Sequence, residues 1–464
     1  MARRAESRTG GRPATAGVIP GRYALSVGMP NSAPPFGWRW TRLTEVARLE
    51  TGHTPSRRHP EYWGGDIPWV GVKDATPNHG RVIHETEENT NALGIANSSA
   101  RVLPAGTVCL SRTASVGYVV VMGRPMATSQ DFVNWVCSED LDPRFLKYVL
   151  MAERDALLRF AHGTTHQTIY FPEVKAFHIA MPEIEEQRAI ASVLGALDDK
   201  IELNRRMSET LEALARAIFT SWFVDFDPVR ARAEGRQPVG MDAETASLFP
   251  DSFEDSPLGP IPSGWYAGEL GDVVAMNRRS RLPNYPHGEI EYVDIASVKQ
   301  GRLEGSTTMP VEDAPSRARR LVGDGDIIWS CVRPNRRSYL RIDSPAENLV
   351  VSTGFVVLTP TVVPSSYLYL AATTDDFVDY LTANADGSAY PAVRPEHFDR
   401  APVLIPDDRV LEAFDQIAKP LLRRMSAGER ESRTLAATRD ALLPKLISGE
   451  LRSPPFRMDR TPVL

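Results

Sequence analysis

From Pro182, and again from Pro406, the chain runs through two stretches that align without a gap at an offset of 224 residues. Other fragments recur in the same order. "FGWRWTRL" (36–43) returns as "SGWYAGEL" (263–270), "PAGTVCLSR" (104–112) as "GDGDIIWSC" (323–331), and "SQDFVNWV" (129–136) as "STGFVVLT" (352–359). Gly163 and Gly387 match in the same way. A chain that repeats itself folds as copies of one unit. Each copy opens on mixed strand-like and helical pattern, with strand-like runs at Trp69–Val72, Val119–Met122, Phe132–Val136, Ile327–Val332 and Phe355–Leu358. Each closes on one long helix of roughly 40 residues.

The closing helices carry heptads. Ile190, Leu197, Asn204, Leu211 and Ile218 fall seven apart, and Leu194, Ile201, Ser208, Ala215 and Trp222 fill the second seam position. At the same offset the later helix gives Phe414, Leu421, Gly428, Leu435 and Leu442, with Ala418, Met425, Ser432, Arg439 and Leu446. Such spacing calls for a helix lying along another helix. Both seams soften at their centres, Asn204 and Ser208 against Gly428 and Ser432, which an antiparallel pair brings face to face. A helix of this length spans roughly 60 Å, more than one small domain covers. Packing of each helix on its own globule alone remains the other arrangement. The antiparallel pair relates two globules by a pseudo-two-fold axis, and a two-fold pair of modules is what reading two DNA half-sites requires.

At 464 residues, with 42% apolar and 24% charged residues, the chain has room for several soluble domains. No apolar run reaches the roughly 20 residues of a membrane span, and the Arg- and Gly-rich start lacks the core of a signal peptide. Residues 1–35 are expected to be disordered, with Met29 a candidate start. Cys109, Cys137 and Cys331 have no CxxC spacing, so neither a disulfide framework nor a metal site is expected, and the protein reads as cytoplasmic. The net charge of −6 argues mildly against nucleic acid, although charge can be segregated within a long chain. No [ND]PP[YF] loop, S-adenosylmethionine loop or GxxxxGK[ST] phosphate loop appears, and "PEVK" (172–175) lacks the partner carboxylate of a nuclease. No catalytic residue is expected.

Candidate DNA contacts come from residue types able to reach phosphates and base edges. "LSRTASVG" (110–117) offers Ser111, Arg112 and Thr113, and the equivalent "SCVRPNRRSYL" (330–340) offers Arg333, Asn335, Arg336 and Arg337. "HGTTHQTIY" (162–170) adds Thr164, Thr165, His166 and Gln167, and "DGSAY" (386–390) adds Ser388 and Tyr390. Lys73, Arg317, Arg319 and Arg320 suit phosphate tracking. Solvated hairpin ends and helix-capping turns account for the same strings.

Residues 196–235, "ALDDKIELNRRMSETLEALARAIFTSWFVDFDPVRARAEG", resemble the central conserved region of the specificity subunits of type I restriction–modification systems. "RDALLPKLISGEL" (439–451) resembles the distal conserved region and "GPIPSGW" (259–265) the entry to a second recognition domain. The resemblance implies an α+β chain with two mixed α/β target recognition domains, separated by two long antiparallel coiled-coil helices. The expected order is a disordered arm (1–35), recognition domain (36–182), central helix (183–225), connector (226–258), recognition domain (259–406), distal helix (407–451) and tail (452–464). It further implies a non-catalytic subunit that reads a bipartite, asymmetric double-stranded DNA site. Two methyltransferase subunits and then restriction subunits would dock on it, with S-adenosylmethionine, ATP and Mg on those partners and no membrane involved. Trp222, Phe223 and Phe226 are the candidate docking residues, with packing on the nearest globule the other explanation. A coiled-coil adaptor displaying two protein-binding modules is the alternative function, and a single-chain restriction enzyme is disfavoured by the missing loops.

Overall fold

A computed structural model describes residues 17–161, 167–281, 285–387 and 390–452. Two compact units interleave along the chain, one drawn from Met1–Glu202 and Arg433–Leu464, the other from Leu203–Ser432. Both long helices, Ile184–Phe223 and Asp408–Ile447, contribute residues to each unit, and each is 40 residues long.

In the first unit a five-stranded sheet runs in the order Ala47–Thr51, Phe132–Cys137, Val108–Ser111, Val119–Met122, Val82–Ile83. All neighbours are antiparallel except the last pair. Val108 and Leu110 enter one apolar cluster with Val119, Val133 and Trp135, while Cys109 enters another with Val120, Met122 and Phe132. Successive side chains of a strand point to opposite faces, so a sheet covered on both sides needs an unbroken apolar run. That is why "TVCLS" and "YVVVM" do not alternate. The helix Pro143–Ala152 covers one face with Phe145, Leu146, Tyr148, Val149 and Leu150. It starts at Asp142, whose carboxylate accepts the N–H groups of Arg144 and Phe145, ahead of Pro143 in the first turn. The strand expected at Trp69–Val72 is longer and earlier, Trp63–Val70, because Asp74 accepts the Gly71 N–H and starts a helical turn at Val72.

The N-terminal expectation needs correction. Ile19–Pro20 and Leu25–Val27 are strands of a four-stranded sheet with Phe177–Met181 and Arg39–Arg42. Leu25 and Val27 are buried. The buried Glu153 carboxylate accepts the backbone N–H groups of Arg22, Tyr23, Ala24 and Leu25 at 2.7, 2.5, 2.7 and 3.2 Å. Local composition could not show this, since the anchor lies 128 residues beyond Leu25.

The second unit repeats the core of the first. Its sheet runs Val274–Met276, Phe355–Pro360, Ile327–Ser330, Tyr339–Arg341, antiparallel throughout. Phe355 lies opposite Ser330 as Phe132 lies opposite Ser111. The strand expected to reach Val332 ends at Ser330, where the chain turns. A second sheet of Thr307–Pro310, Glu289–Val293, Leu349–Ser352 and Ala318–Leu321 packs in the same unit. The connector expected over 226–258 is a packed part of this unit. It forms the helices Asp227–Ala233 and Ala243–Ser247 and a hairpin of Phe253–Ser256 with Gly259–Pro262. Val229 and Phe249 are buried, and the Arg232 guanidinium gathers the carbonyls of Ala246, Ser247 and Phe249. Its Pro, Gly and acidic residues mark turns between these short elements.

Within each unit the two long helices touch in opposite directions. In the second unit Asn204 Nδ2 donates to Gly428 O at 3.4 Å and to Glu431 Oε2 at 2.9 Å, Ser208 Oγ to Met425 O at 3.4 Å, and Phe219 packs on Phe414. In the first unit Asp198 meets Arg439, and Glu186 meets Arg452 just past the end of the later helix. Of the seam residues, Ile190, Leu194, Phe414 and Met425 are buried, and Leu197, Ile201, Leu211, Ile218, Leu421, Leu435 and Leu442 are half-buried.

Candidate nucleic-acid interface

Where the strand Val108–Ser111 turns into Val119–Met122, Ser111 N donates to Tyr118 O at 2.8 Å. Inside the turn the buried Ser111 Oγ accepts the Tyr118 N–H and donates to Ser115 O. Ser111 is therefore an internal clasp, and its expected role as a DNA contact is corrected: it cannot reach a groove. Ala114 and Gly117 adopt left-handed backbone, φ 62° and 90°. Thr113 pairs with Thr168 as an isolated bridge, Ala114 N donates to Gln167 O at 3.1 Å and Ile169 N to Arg112 O at 2.9 Å. Two stretches that the sequence singled out separately thus meet at one end of the sheet. Gln167 is exposed there, whereas Thr164, Thr165 and His166 lie outside the described residues. Arg112 is half-buried, donates to Gln130 O at 3.1 Å and lies 4.7 Å from the centre of the Phe171 ring. Burial lowers its pKa, with Asp131 and Tyr170 opposing.

The second unit builds the same junction. Ser330 N donates to Ser338 O at 2.9 Å, and Val332 bridges to Ala392. Arg333 N donates to Pro391 O at 2.7 Å and Val393 N to Cys331 O at 2.8 Å. Arg333 and Arg337 take the left-handed places, φ 52° and 55°. Between them Pro334–Arg336 forms one 3₁₀ turn, with Pro334 buried and Asn335 and Arg336 exposed. The Arg333 guanidinium lies 4.6 Å from the centre of the Tyr390 ring, which is 71% exposed, and Arg337 binds Asp375 Oδ1 at 2.5 Å. Ser388 lies outside the described residues.

The remaining cations sit apart from these turns in the chain. Arg317 and Arg319 are exposed, with Arg319 Nε donating to Ser316 O at 3.1 Å. Arg320 is half-buried, and its Nε has no partner among the described residues. Lys73 is exposed on the turn Val72–Ala75 and helps to lower the pKa of Glu88, chiefly held down by its bond to Arg57.

The expected docking cluster is corrected too. Trp222 and Phe223 are buried in the second unit's core, Phe223 with ring centroids 4.9 Å from Tyr367 and 5.0 Å from Phe414, Trp222 5.0 Å from Phe249. Phe226 is half-buried, 6.0 Å from Phe253 and from Trp265. Aromatics that exceed the helix seam are absorbed by the connector and the sheet. The sequence reading missed a different stripe. Leu203, Met207, Thr210, Leu214, Ala217 and Ser221 follow four-three spacing along the first long helix, and Leu203 and Leu214 are 58% and 48% exposed. A second heptad phase was legible there beside the first.

Among the described residues no cluster of three His, Cys, Asp or Glu could hold a metal ion, and no helix is long and apolar enough to cross a membrane. Burial pushes the thiols of Cys331 and Cys137 up to about 11 and about 12, which removes them as nucleophiles at neutral pH.

A family model described as a type I restriction modification DNA specificity domain matches residues 35–213. The chain is 25% identical over 425 residues to the type I restriction enzyme MjaIX specificity subunit of Methanocaldococcus jannaschii, covering 90% of this chain and 94% of that one. It is 24% identical over 388 residues to the HindI specificity subunit of Haemophilus influenzae, covering 71% and 84%. Among solved structures, the S subunit of a type I restriction–modification system from M. genitalium has a TM-score of 0.56 at 16% identity, over 90% of this chain and 98% of that chain, a likeness of fold.

Proposed function

We propose that this chain, a member of the type I restriction–modification specificity-subunit family, reads a two-part DNA site with one half-site for each globular domain, residues 36–182 and 259–406. It is a non-catalytic subunit of a DNA-binding restriction system. The observation that carries the reading is the repeated junction. In both units two sequence-distant stretches meet through a bridge, Thr113 with Thr168 and Val332 with Ala392, beside a left-handed residue. Two unlike copies of one junction suit an asymmetric, bipartite target. The long helices serve as the spacer between the domains and as the docking surface for two methyltransferase subunits and then the restriction subunits. S-adenosylmethionine, ATP and Mg belong to those partners, in the cytoplasm.

In place of the buried aromatics, the exposed stripe through Leu203 and Leu214 is the docking face. It leads toward a groove of about 330 Å³ lined in part by Ala217, Ile218, Val239 and Ile417. Leu203, Met207, Leu214 and Ala217, the apolar members of that four-three series, suit a partner helix.

The test is long-read mapping of methylated adenines in the host with and without the gene. Loss of one split motif on deletion is expected; an unchanged map sinks the proposal. Binding of the purified complex to duplex DNA should also fall steeply with salt, because phosphate neutralisation releases counterions. An adaptor for proteins alone would show neither effect.

A further inference from the structure

We infer that the half-site read by the second unit contains a guanine and that Arg336 specifies it, an inference that rests on the DNA-reading role proposed above. The turn Pro334–Arg336 stands between two left-handed non-glycine residues, Arg333 and Arg337. Such backbone is disfavoured for any residue that carries a Cβ and persists only where its surroundings over-determine it. Here they do. Arg333 N donates to Pro391 O, Arg336 N to Arg333 O, Arg337 N to Pro334 O and Tyr339 N to Arg337 O, all between 2.7 and 3.1 Å. Pro334 is buried beneath.

The neighbouring cations are committed. Arg337 is bonded to Asp375, and Arg333 lies over the Tyr390 ring. Arg336 is exposed at the crest and forms no ion pair among the described residues. A guanidinium presents a planar fork of donors that matches the N7 and O6 acceptors of guanine in the major groove. The first unit cannot read this way from the same place. Between its left-handed residues, Ala114 and Gly117, stand only Ser115 and Val116, and Val116 is buried. The guanine requirement therefore belongs to one half-site and not to the other turn.

The experiment compares methylation maps from hosts carrying the wild-type gene, a deletion and Arg336→Ala, each with the native partner subunits. Expected for Arg336→Ala is relaxation at a single guanine of one half-site, with discrimination there falling by roughly 5- to 100-fold and every other position kept. A uniform fall at all sites with an unchanged motif means a phosphate contact and overturns the inference, as does an unaltered map. Should the variant abolish methylation altogether, the purified complex is titrated with duplexes carrying 7-deazaguanine at each guanine of the motif in turn. Wild type must then lose affinity at one position where Arg336→Ala is indifferent; equal losses overturn the inference. A map indifferent to deletion strikes the DNA-reading role itself instead.

Discussion

The two units fasten their sheets to the long helices by opposite charge arrangements. In the first, the Asp198 carboxylate receives Lys147 Nζ at 2.9 Å, Tyr148 Oη at 2.6 Å and Arg439 NH1 at 2.9 Å, and Lys147 also reaches Gly80 O at 3.0 Å. In the second, the helix Ile184–Phe223 presents a cation, Arg216, in place of the Asp198 anion. Arg216 binds Glu212 at 2.8 Å, Thr373 Oγ1 at 3.1 Å and Tyr339 Oη at 3.3 Å, and Tyr369 Oη lies 3.5 Å from Glu212. The backbone frame is the same in both. Gly80 and Gly301, both left-handed, donate to Val119 O and Tyr339 O at 2.7 and 2.9 Å. Gly301 is required: a Cβ there would stand 2.8 Å from Tyr369 Oη. The repeat thus keeps its geometry and lets the polar chemistry diverge, which is how two copies of one fold come to present different turns.

The largest expected effect separates the two fastenings. Burial alone would push the Asp198 carboxyl up, yet Lys147, Arg439 and Tyr148 hold it below its ordinary value of 3.8. Its contribution is therefore fully present above pH 3.8 and is lost as the pH falls further. Asp198→Asn leaves the buried Lys147 without its counter-charge, a loss of about 3–5 kcal/mol. Arg216→Met, whose partner Glu212 retains access to water, should cost about 1 kcal/mol. Urea unfolding gives the totals, and hydrogen exchange compares Pro143–Ala152 with Ser365–Ala371. Equal losses in the two units would break the contrast.

Next in size is an anchor that, among the described residues, the first unit alone has. Glu153, between the helices Pro143–Ala152 and Arg154–Phe160, holds four backbone N–H groups. At the matching place Thr374 merely caps its own helix through Phe377 N. Glu153→Gln should cost about 2–3 kcal/mol, since charge-assisted bonds to a buried group are being weakened. Amide exchange over residues 22–27 should quicken markedly, and unchanged protection there refutes the anchoring role.

The third effect is a pH dependence confined to the first unit. Burial, then Arg154, Arg439 and Lys147, lower the His79 pKa from 6.5 to about 4. The ring stays neutral, and its Nδ1 accepts the Val119 N–H at 3.0 Å. Between pH 6.5 and about 4 the unfolded chain binds a proton that the folded chain refuses, so stability rises with pH across that window. The expected span is on the order of 2 kcal/mol. His79→Asn should flatten the slope; a slope retained in the variant assigns it elsewhere.

How much of this was legible depended on sequence distance. The offset of 224 residues gave the long helices, whose observed starts at Ile184 and Asp408 differ by that number. Strand runs with both faces covered were found because apolar content alone marks them, as in Val119–Met122. The turn residues Arg333, Asn335 and Arg336 are legible by type, yet their meeting with residues 390–393 is not, because a bridge between Val332 and Ala392 leaves no periodic trace. Ser111 failed for the converse reason: a hydroxyl clasping its own turn has the same letter as one facing a groove. The burial of Trp222 and Phe223 depended on the connector folding, which its turn-rich composition concealed.

The smallest effect tests how tightly the helices meet in each unit. Gly195 and Gly428 both lie inside long helices. Glycine there costs about 0.5–1 kcal/mol relative to alanine through chain entropy. A Cβ at Gly195 would find only Tyr148 Oη, at 3.9 Å, so Gly195→Ala should recover most of that amount. At Gly428 it would meet Ser208 Oγ at 3.5 Å, with Asn204 Cβ and Met207 Cε at 3.8 Å, all ordinary contacts. Gly428→Ala should therefore also stabilise, but by less, because Asn204 and Ser208 donate to carbonyls at 3.4 Å and have little room to lengthen those bonds. Thermal melts of the two variants rank them. A larger gain at Gly428 than at Gly195 would mean that the polar centre of the seam is loosely packed, and that register between the helices is set by their apolar ends.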